Sequence, residues 1–155
     1  DERKKIEDGI ANKYARVAAN PEGHFTYPTG RAGLTELKYD PVIVRSLPPA
    51  AVDSYCGVGN PFSLGPIYEG EKVLDIGCGG GLDTMIAAQL VGPSGRVVGI
   101  DIGTKMLERA RQNLQDSDLE NVTFQEAGAE DLPFPDQSFD VVVLVMSVEK
   151  KPAAA

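Results

Sequence analysis

Three glycines at alternate positions follow directly on a short apolar segment, in the sequence VLDIGCGGGLD at residues 73–83. These glycines are Gly77, Gly79 and Gly81. Glycine tolerates positive φ and lets a ligand approach the backbone closely. Asp75 precedes them, where it can hold the turn or accept a hydrogen bond from a ligand's ammonium group. Because amides at a helix N-terminus bind carboxylates, the turn is predicted to bind a nucleoside that carries an amino acid.

A dinucleotide-binding fingerprint requires a different spacing from the one in this chain. Its third glycine would fall at Leu82, and it gives Asp75 no role. A second apolar segment, VVGID, ends in Asp101, where a carboxylate can accept hydrogen bonds from both ribose hydroxyls. The alternative interpretation of Asp101 is a solvent-facing acid that caps the turn before Thr104. The turn and the acid together favour nucleoside binding and disfavour an NAD-type Rossmann protein.

Alternating strands and helices are predicted to position these residues. The predicted strands cover residues 72–76, 96–100, 121–125 and 140–146, and helices are predicted over 82–91 and 104–115, with Thr104 as a cap. Strand–helix–strand units at this spacing imply a parallel sheet with right-handed crossovers. The fourth strand is so uniformly apolar that we expect it to be buried on both faces. The expected fold class is therefore α/β, with a Rossmann-like parallel sheet.

The residue pattern before the predicted sheet differs from the pattern within it, and this difference predicts that the chain has two parts. They are a helical N-terminal extension or lid over residues 1–68 and an α/β ligand-binding half-domain over 69–155. Short helical patterns in the first part are interrupted by proline and glycine. Helices are expected over 3–18 and 34–39 and from Asp40-Pro41 onward, with Asp40 as a cap, and a loop over 57–66.

Composition narrows the class of protein further. The net charge of −8 disfavours binding to nucleic acid and to anionic membranes, both of which attract basic surfaces. The longest apolar run, residues 141–146, is too short to cross a bilayer. Two cysteines and no histidine–cysteine cluster favour a cytoplasmic protein without a structural metal.

The chain resembles the class I S-adenosylmethionine (SAM) dependent methyltransferases. The likeness runs through VLDIGCGGG, VVGID, ML at 106–107, NVTFQEA, AEDLPFPDQSFD and VVV at 141–143. It implies that SAM binds here and leaves as S-adenosylhomocysteine. The implied cofactor-binding residues are Asp75, Gly77, Cys78, Gly79, Gly81, Asp101, Ile102, Met106, Ala129 and Glu130.

The resemblance also implies a role for each part of this set. Gly77 and Gly79 are expected to wrap the methionine portion, Asp101 to bind the ribose, and Ile102 and Met106 to flank the adenine. The segment 128–131 is expected to border the adenine. Many relatives carry Asp where this chain has Gly128, so Glu130 or Asp131 is expected to supply the acidic contact.

Within that family the likeness is strongest to methyltransferases of the arsenite and ubiquinone-biosynthesis type. VGPSGRVVGID, LPFPDQSFDVVV and GVGNPFSLG carry it. The arsenic enzymes bind the metalloid through cysteines, and Val58 occupies the position that aligns with one of them. Cys56 lies two places earlier and is expected to be a packed or exposed thiol, so arsenic chemistry is disfavoured. No catalytic residue is predicted, because the sulfonium already activates the methyl group and the protein chiefly supplies alignment.

Several other residues admit two interpretations each. His24 is either a general base or an exposed loop residue, with exposure favoured. Tyr14 and Tyr27 either line a lid over the cofactor or, as we expect, pack against the sheet. Asp83 is expected to be a charge that favours the helix N-terminus. Asn60-Pro61 is expected to form a turn, with a cofactor contact as the alternative.

The family's sheet has seven strands, and four are predicted here, in the order 3-2-1-4. That arrangement leaves the apolar strand over 141–146 as an edge, which we expect to pair with a second copy in a homodimer. The chain is then either a truncated form of a longer methyltransferase or a natural short protein. The main functional hypothesis is a SAM-dependent methyltransferase acting on a small molecule. The alternative is a noncatalytic SAM-binding or dimerising module.

Overall fold

The computed structural model describes residues 1–145, which form an N-terminal group of helices followed by a sheet flanked by two further helices. The helices are α1 (Glu2–Ala19), α2 (Gly30–Glu36), α3 (Pro41–Ser46), α4 (Pro49–Asp53), α5 (Leu82–Val91) and α6 (Thr104–Gln115), with a short 3-10 turn at Pro61–Ser63. The strands are β1 (Lys72–Ile76), β2 (Arg96–Asp101), β3 (Val122–Glu126) and β4 (Val141–Leu144). Within residues 1–145, no helix is both long and apolar enough to cross a bilayer.

The four strands form one parallel sheet in the order β3-β2-β1-β4, which confirms the predicted fold class and strand order. The register pairs Asp75 of β1 with Gly99 of β2 and Val143 of β4. All pairings among these strands are parallel, so their carboxyl ends meet at one edge of the sheet. The glycine turn after β1 and the acid that ends β2 are thereby brought side by side.

The prediction that β4 is buried on both faces is wrong for the part of the strand that the structure describes. Val143 is 7% exposed and packs with Val73 in the cluster beneath α5. Val142 and Leu144 point the other way and are 56% and 51% exposed. The described residues therefore cover only one face of the strand, which lies at the edge of the described sheet. Met146, the last residue of the predicted strand, lies outside the described residues.

Two helix predictions also require correction. The helix expected over residues 34–39 is found earlier, at Gly30–Glu36. It ends where it does because Lys38 adopts a positive φ of 59°, which a helix cannot continue through. Thr104 is the first residue of α6 and not its cap, a position that Gly103 takes. Asp40, in contrast, caps α3 as predicted, because its side chain accepts from the amide of Val42.

The helices before residue 68 are packed onto the α/β part. Leu34, Tyr39 and Val52 share a buried cluster with Met85 of α5. The division of the chain at residue 68 stays a prediction, since the two parts share this core.

Helix α1 lies along α6, and only its last turns are buried. Val17 and Ala18 pack on Met106, and the Arg109 guanidinium donates to the carbonyl of Ala18 at 2.8 Å. That bond satisfies a backbone carbonyl which the helix itself leaves unpaired. Farther toward the N-terminus, Ile6 is 57% exposed, so the apolar residues of α1 are covered only in part.

Candidate nucleoside-binding site

A cavity of about 370 Å³ lies at the carboxyl ends of the strands, between the glycine turn and the N-terminal helices. In open α/β sheets this edge is where ligands bind. Its lining includes Tyr14, Tyr27, Tyr55, Cys56, Val58, Gly77, Cys78, Gly79, Asp83, Asp101, Ile102, Met106, Gly128, Ala129, Leu144 and Val145. The volume lies within the range of about 300–1,000 Å³ that small-molecule sites occupy.

The glycine turn adopts the backbone conformation that its sequence predicts. Gly77, Gly79 and Gly81 have φ values of 72°, 53° and 84°, in the left-handed region that glycine adopts without strain. The amides of Gly77 and Cys78 both donate to the carbonyl of Ile100 on β2, each at 2.9 Å. These bonds fix the turn against the neighbouring strand.

The three glycines are required for different reasons. A Cβ added at Gly81 would lie 2.7 Å from the ring of Phe124, so this glycine allows close packing beneath the turn, and it does not line the cavity. A Cβ at Gly79 would come within 3.2 Å of the Met106 side chain. A Cβ at Gly77 would meet no protein atom within 4 Å. The turn therefore presents an open backbone surface to the cavity at Gly77.

Asp101 links the turn to the end of β2. Its Oδ2 accepts from the amide of Gly79 at 2.9 Å, and its Oδ1 accepts from the amide of Gly103 at 2.8 Å. The side chain thus holds the turn before Thr104, as the alternative interpretation expects, and it also lines the cavity, so binding to a ribose stays a prediction. A carboxylate has about four acceptor positions, so Asp101 retains the capacity for two ligand hydroxyls.

Asp75 lies behind the turn and does not line the cavity. It is 4% exposed, and its Oδ2 accepts from the Thr84 hydroxyl at 2.7 Å, which ties the end of β1 to the first turn of α5. Burial, together with the nearby charge of Asp83, raises the pKa of Asp75 to about 8. Of the two roles predicted from the sequence, this geometry favours the one in which Asp75 holds the turn.

The residues predicted to border the adenine are only partly brought together. Ile102, Met106 and Ala129 line the cavity, whereas the exposed Glu130 does not. Ile102 is 69% exposed, so its side chain is available for contact with an apolar ligand group. A Cβ at Gly128 would lie 3.5 Å from Ile102, which is ordinary contact, so the loop has room for a side chain at that position.

The aromatic residues of the N-terminal segment lie on the cavity. Tyr14 and Tyr27 both line it, which corrects the expectation that they pack against the sheet. The reason is that α1 packs on α6, and this placement brings Tyr14 to the opening at the strand ends. The Tyr27 hydroxyl donates to the carbonyl of Cys56 at 2.9 Å and so fixes the loop beside the turn.

Both thiols line the cavity, whereas His24 and Asn60 do not. Burial raises the pKa of Cys56 to about 11 and the pKa of Cys78 well above its usual value, so both are protonated at neutral pH. Asn60 takes the structural role expected of it, since its side chain accepts from the amide of Phe62 and stabilises the 3-10 turn.

A carboxylate that the sequence analysis interpreted only as a helix charge also lines the cavity. The Tyr39 hydroxyl donates to Oδ1 of Asp83 at 2.6 Å and lies 3.2 Å from the Tyr55 hydroxyl, and both tyrosines approach the carbonyl of Gly59. Burial raises the pKa of Asp83 to about 7 and also raises the pKa of both phenols. No local pattern signals this cluster, because Tyr39 and Asp83 are 44 residues apart.

The charge of the cavity restricts the kind of ligand it can take. Asp83 and Asp101 line it, whereas no Lys, Arg or His is found among its lining residues in the described part of the chain. Across residues 1–145 no group of three or more His, Cys, Asp or Glu side chains is arranged to hold a metal ion. Such a site disfavours phosphates and suits a ligand with cationic groups.

The sheet order, the glycine turn after β1 and the acid that ends β2 define the nucleoside-binding half of a class I methyltransferase fold. A family model described as a methyltransferase domain matches residues 67–154. The chain belongs to this SAM-dependent methyltransferase family.

The chain is also similar in sequence to individual methyltransferases. An arsenite methyltransferase of Halobacterium salinarum is 41% identical over 115 residues, covering 74% of this chain and 29% of the relative. A demethylmenaquinone methyltransferase of Listeria welshimeri is 36% identical over 86 residues, covering 56% of this chain and 36% of the relative. The chain therefore spans only about a third of the length of these curated relatives.

Solved structures show the same likeness. A SAM-dependent methyltransferase from Aquifex aeolicus superposes with a TM-score of 0.50 at 26% identity, covering 70% of this chain and 53% of that one. An arsenic (III) S-adenosylmethionine methyltransferase from Chlamydomonas reinhardtii gives a TM-score of 0.50 at 29% identity, covering 75% of this chain and 38% of that one.

Proposed function

We propose that this chain binds SAM in the cavity at the strand ends and takes part in methyl transfer to a small molecule. The observation that carries the proposal is the open backbone at Gly77 beside the carboxylate of Asp101, which is already bonded to Gly79. A ligand on that surface meets backbone on one side and two free acceptor positions on the other. An amino acid joined to a ribose matches both.

The residues present fit each part of this cofactor. Gly77 and Gly79 would hold the methionine portion, and Asp101 would accept from the ribose hydroxyls. Ile102 and Met106 offer apolar surface for the adenine. SAM supplies a methyl group made electrophilic by its sulfonium, and methyl transfer leaves S-adenosylhomocysteine.

The chain's own contribution to catalysis would be alignment and exclusion of water. Tyr14 and Tyr27 line the cavity from the N-terminal segment and would cover a bound nucleoside. Placing the acceptor in line with the methyl group supplies much of the acceleration such a reaction needs. A base is required only for an acceptor that arrives protonated.

The side chains near the cavity favour an apolar organic acceptor. Val58, Leu144 and Val145 all line it. The resemblance to the arsenic enzymes implies that Val58 takes the place of a metalloid-binding cysteine, and the thiols of Cys56 and Cys78 are held protonated. This chemistry resembles that of a site for an apolar substrate more than that of a site for arsenite.

Titration calorimetry with SAM, S-adenosylhomocysteine and NAD⁺ tests the cofactor assignment. We expect the two sulfur nucleosides to bind and NAD⁺ not to bind, because its pyrophosphate would face Asp83 and Asp101. Absence of binding by both sulfur nucleosides would refute the proposal.

Transfer of a radiolabelled methyl group to a panel of phenols, quinols, thiols and arsenite then tests activity. Transfer to an apolar phenol or quinol would support the acceptor class, and transfer to arsenite alone would overturn it. Cofactor binding with no transfer to any acceptor would support the noncatalytic module instead.

A further inference from the structure

We propose that Asp83 is the residue that recognises the α-ammonium group of the cofactor's methionine portion, with Tyr39 as its positioning residue. The inference rests on the proposed function, because it assigns a contact to the same bound cofactor. Neither residue lies in the glycine turn, and neither is the acid at the end of β2.

The position of Asp83 suits this contact. It lies in the first turn of α5, two residues after Gly81, and its side chain lines the cavity. The cofactor's methionine portion would lie along Gly77 and Gly79, so the amino acid end falls next to the start of α5. Only Oδ1 of Asp83 accepts from Tyr39, and a carboxylate has further acceptor positions for a ligand N–H.

The electrostatics of the cavity select an ammonium group for this position. Asp83 and Asp101 both line the cavity, their charges both raise the pKa of the buried Asp75, and no cationic side chain is among the lining residues in the described part of the chain. A ligand ammonium would neutralise part of this charge in a partly dry site, where a charge-assisted hydrogen bond is strong. The cofactor's own carboxylate would be repelled by Asp83 and left to the backbone amides.

Tyr39 holds the Asp83 side chain in place. Its hydroxyl is buried, donates to Oδ1 at 2.6 Å and is itself held by the Tyr55 hydroxyl 3.2 Å away. The aromatic rings of the two tyrosines also meet edge to face, with centroids 5.5 Å apart. A packed and hydrogen-bonded pair of this kind fixes the rotamer of the carboxylate before the ligand arrives.

Comparison of S-adenosylhomocysteine with 5′-methylthioadenosine tests the inference, because the second compound has the nucleoside and the sulfur but no amino acid. In calorimetry, Asp83→Asn is expected to weaken S-adenosylhomocysteine binding on the order of 10- to 100-fold and to change 5′-methylthioadenosine binding less than about twofold. Tyr39→Phe is expected to lower the affinity for S-adenosylhomocysteine about threefold or more, again without an effect on 5′-methylthioadenosine. Asp118→Asn, an exposed acid outside the cavity, is the matched control.

Equal losses for both nucleosides in Asp83→Asn, or no loss for either, would overturn the inference. A second measurement uses only the unaltered protein and therefore does not depend on whether a variant folds. The des-amino analogue of S-adenosylhomocysteine should bind to it at least tenfold more weakly than S-adenosylhomocysteine does. Equal binding of the two would also overturn the assignment. If the unaltered protein bound neither sulfur nucleoside, the proposed function itself would fail, and this result is distinct from the others.

Discussion

The carboxylate of Asp101 accepts a hydrogen bond from the amide of Gly79 at 2.9 Å. The acid that ends β2 and the turn that follows β1 are therefore one hydrogen-bonded unit before any ligand is present. Because Oδ1 of the same side chain accepts from Gly103, both oxygens are oriented by backbone amides. A site built in this way binds its ligand with little loss of conformational entropy.

Replacing Asp101 should weaken SAM binding. Asp101→Ala removes the acceptor for the ribose hydroxyls and also releases the Gly79 amide, so we expect a loss on the order of 1–3 kcal/mol of binding free energy in calorimetry. Asp118→Ala removes the same charge from an exposed loop and should leave the affinity unchanged. Equal affinities for the two variants would defeat the assignment of Asp101.

A methyl group at Gly77 should block the cofactor without disrupting the fold. Gly77 and Gly23 have φ values of 72° and 80°, and a Cβ at either would meet no protein atom within 4 Å. Alanine at each position should therefore lower the free energy of unfolding by a similar amount, about 1–2 kcal/mol. Only Gly77→Ala should weaken SAM binding, since Gly23 lies outside the cavity. Thermal unfolding and calorimetry on both variants check this, and an unimpaired Gly77→Ala would show that the backbone surface does not contact the ligand.

The stability of the ligand-free protein should fall as pH rises from 5 to 9. Burial raises the pKa of Asp75 to about 8 from an unfolded value near 3.9, so the folded state binds this proton more tightly. Stability from this proton is fully present below the unfolded pKa and is lost as pH rises through the folded one. Asp83, whose pKa is about 7, acts in the same direction.

Asp75→Asn should make this decline shallower. The amide oxygen can still accept from the Thr84 hydroxyl, while the titrating group is gone. Because the Asp75 proton is lost over about three pH units above pH 5, we expect the unaltered protein to lose on the order of 4 kcal/mol more unfolding free energy than the variant between pH 5 and pH 9. Urea denaturation at the two pH values measures this, and parallel pH dependences would show that Asp75 is ionised in the folded state.

We expect β4, at the edge of the sheet formed by residues 1–145, to mediate the self-association predicted from the sequence. Val142 and Leu144 of β4 present apolar surface at that edge of the described sheet. Val142→Lys should weaken any dimer seen by analytical ultracentrifugation, since edge lysines oppose strand pairing. Thr123→Lys on β3, at the opposite edge, is the control. An unaltered protein that stays monomeric at high micromolar concentration would refute the prediction.

The strands and helices of the α/β part could be predicted closely because residues next to each element determine where it begins and ends. Both β1 and α5 have the predicted bounds, since glycines and Pro93 interrupt the apolar pattern on either side of the helix. The order 3-2-1-4 followed from the family resemblance. The exposure of β4 could not be predicted from its composition, because burial of a strand depends on what lies beside it.

The part of the site supplied by the N-terminal segment could not be predicted from the sequence. The Tyr39–Asp83 contact joins residues 44 positions apart, and neither flanking segment carries a pattern that signals it. Tyr14 reaches the cavity because α1 packs on α6, a tertiary arrangement that helical periodicity does not specify. For Asp75 the sequence leaves two roles open, holding the turn or binding the ligand, because the choice depends on the contact with Thr84 of α5 that only the fold creates.

Crystals of this protein soaked with S-adenosylhomocysteine would show whether the glycine turn and Asp101 bind the nucleoside together. We expect density for the nucleoside with its ribose hydroxyls on Asp101 and its amino acid along Gly77 and Gly79. A nucleoside bound elsewhere, with the surface at Gly77 empty and Asp101 bonded only to Gly79 and Gly103, would contradict it.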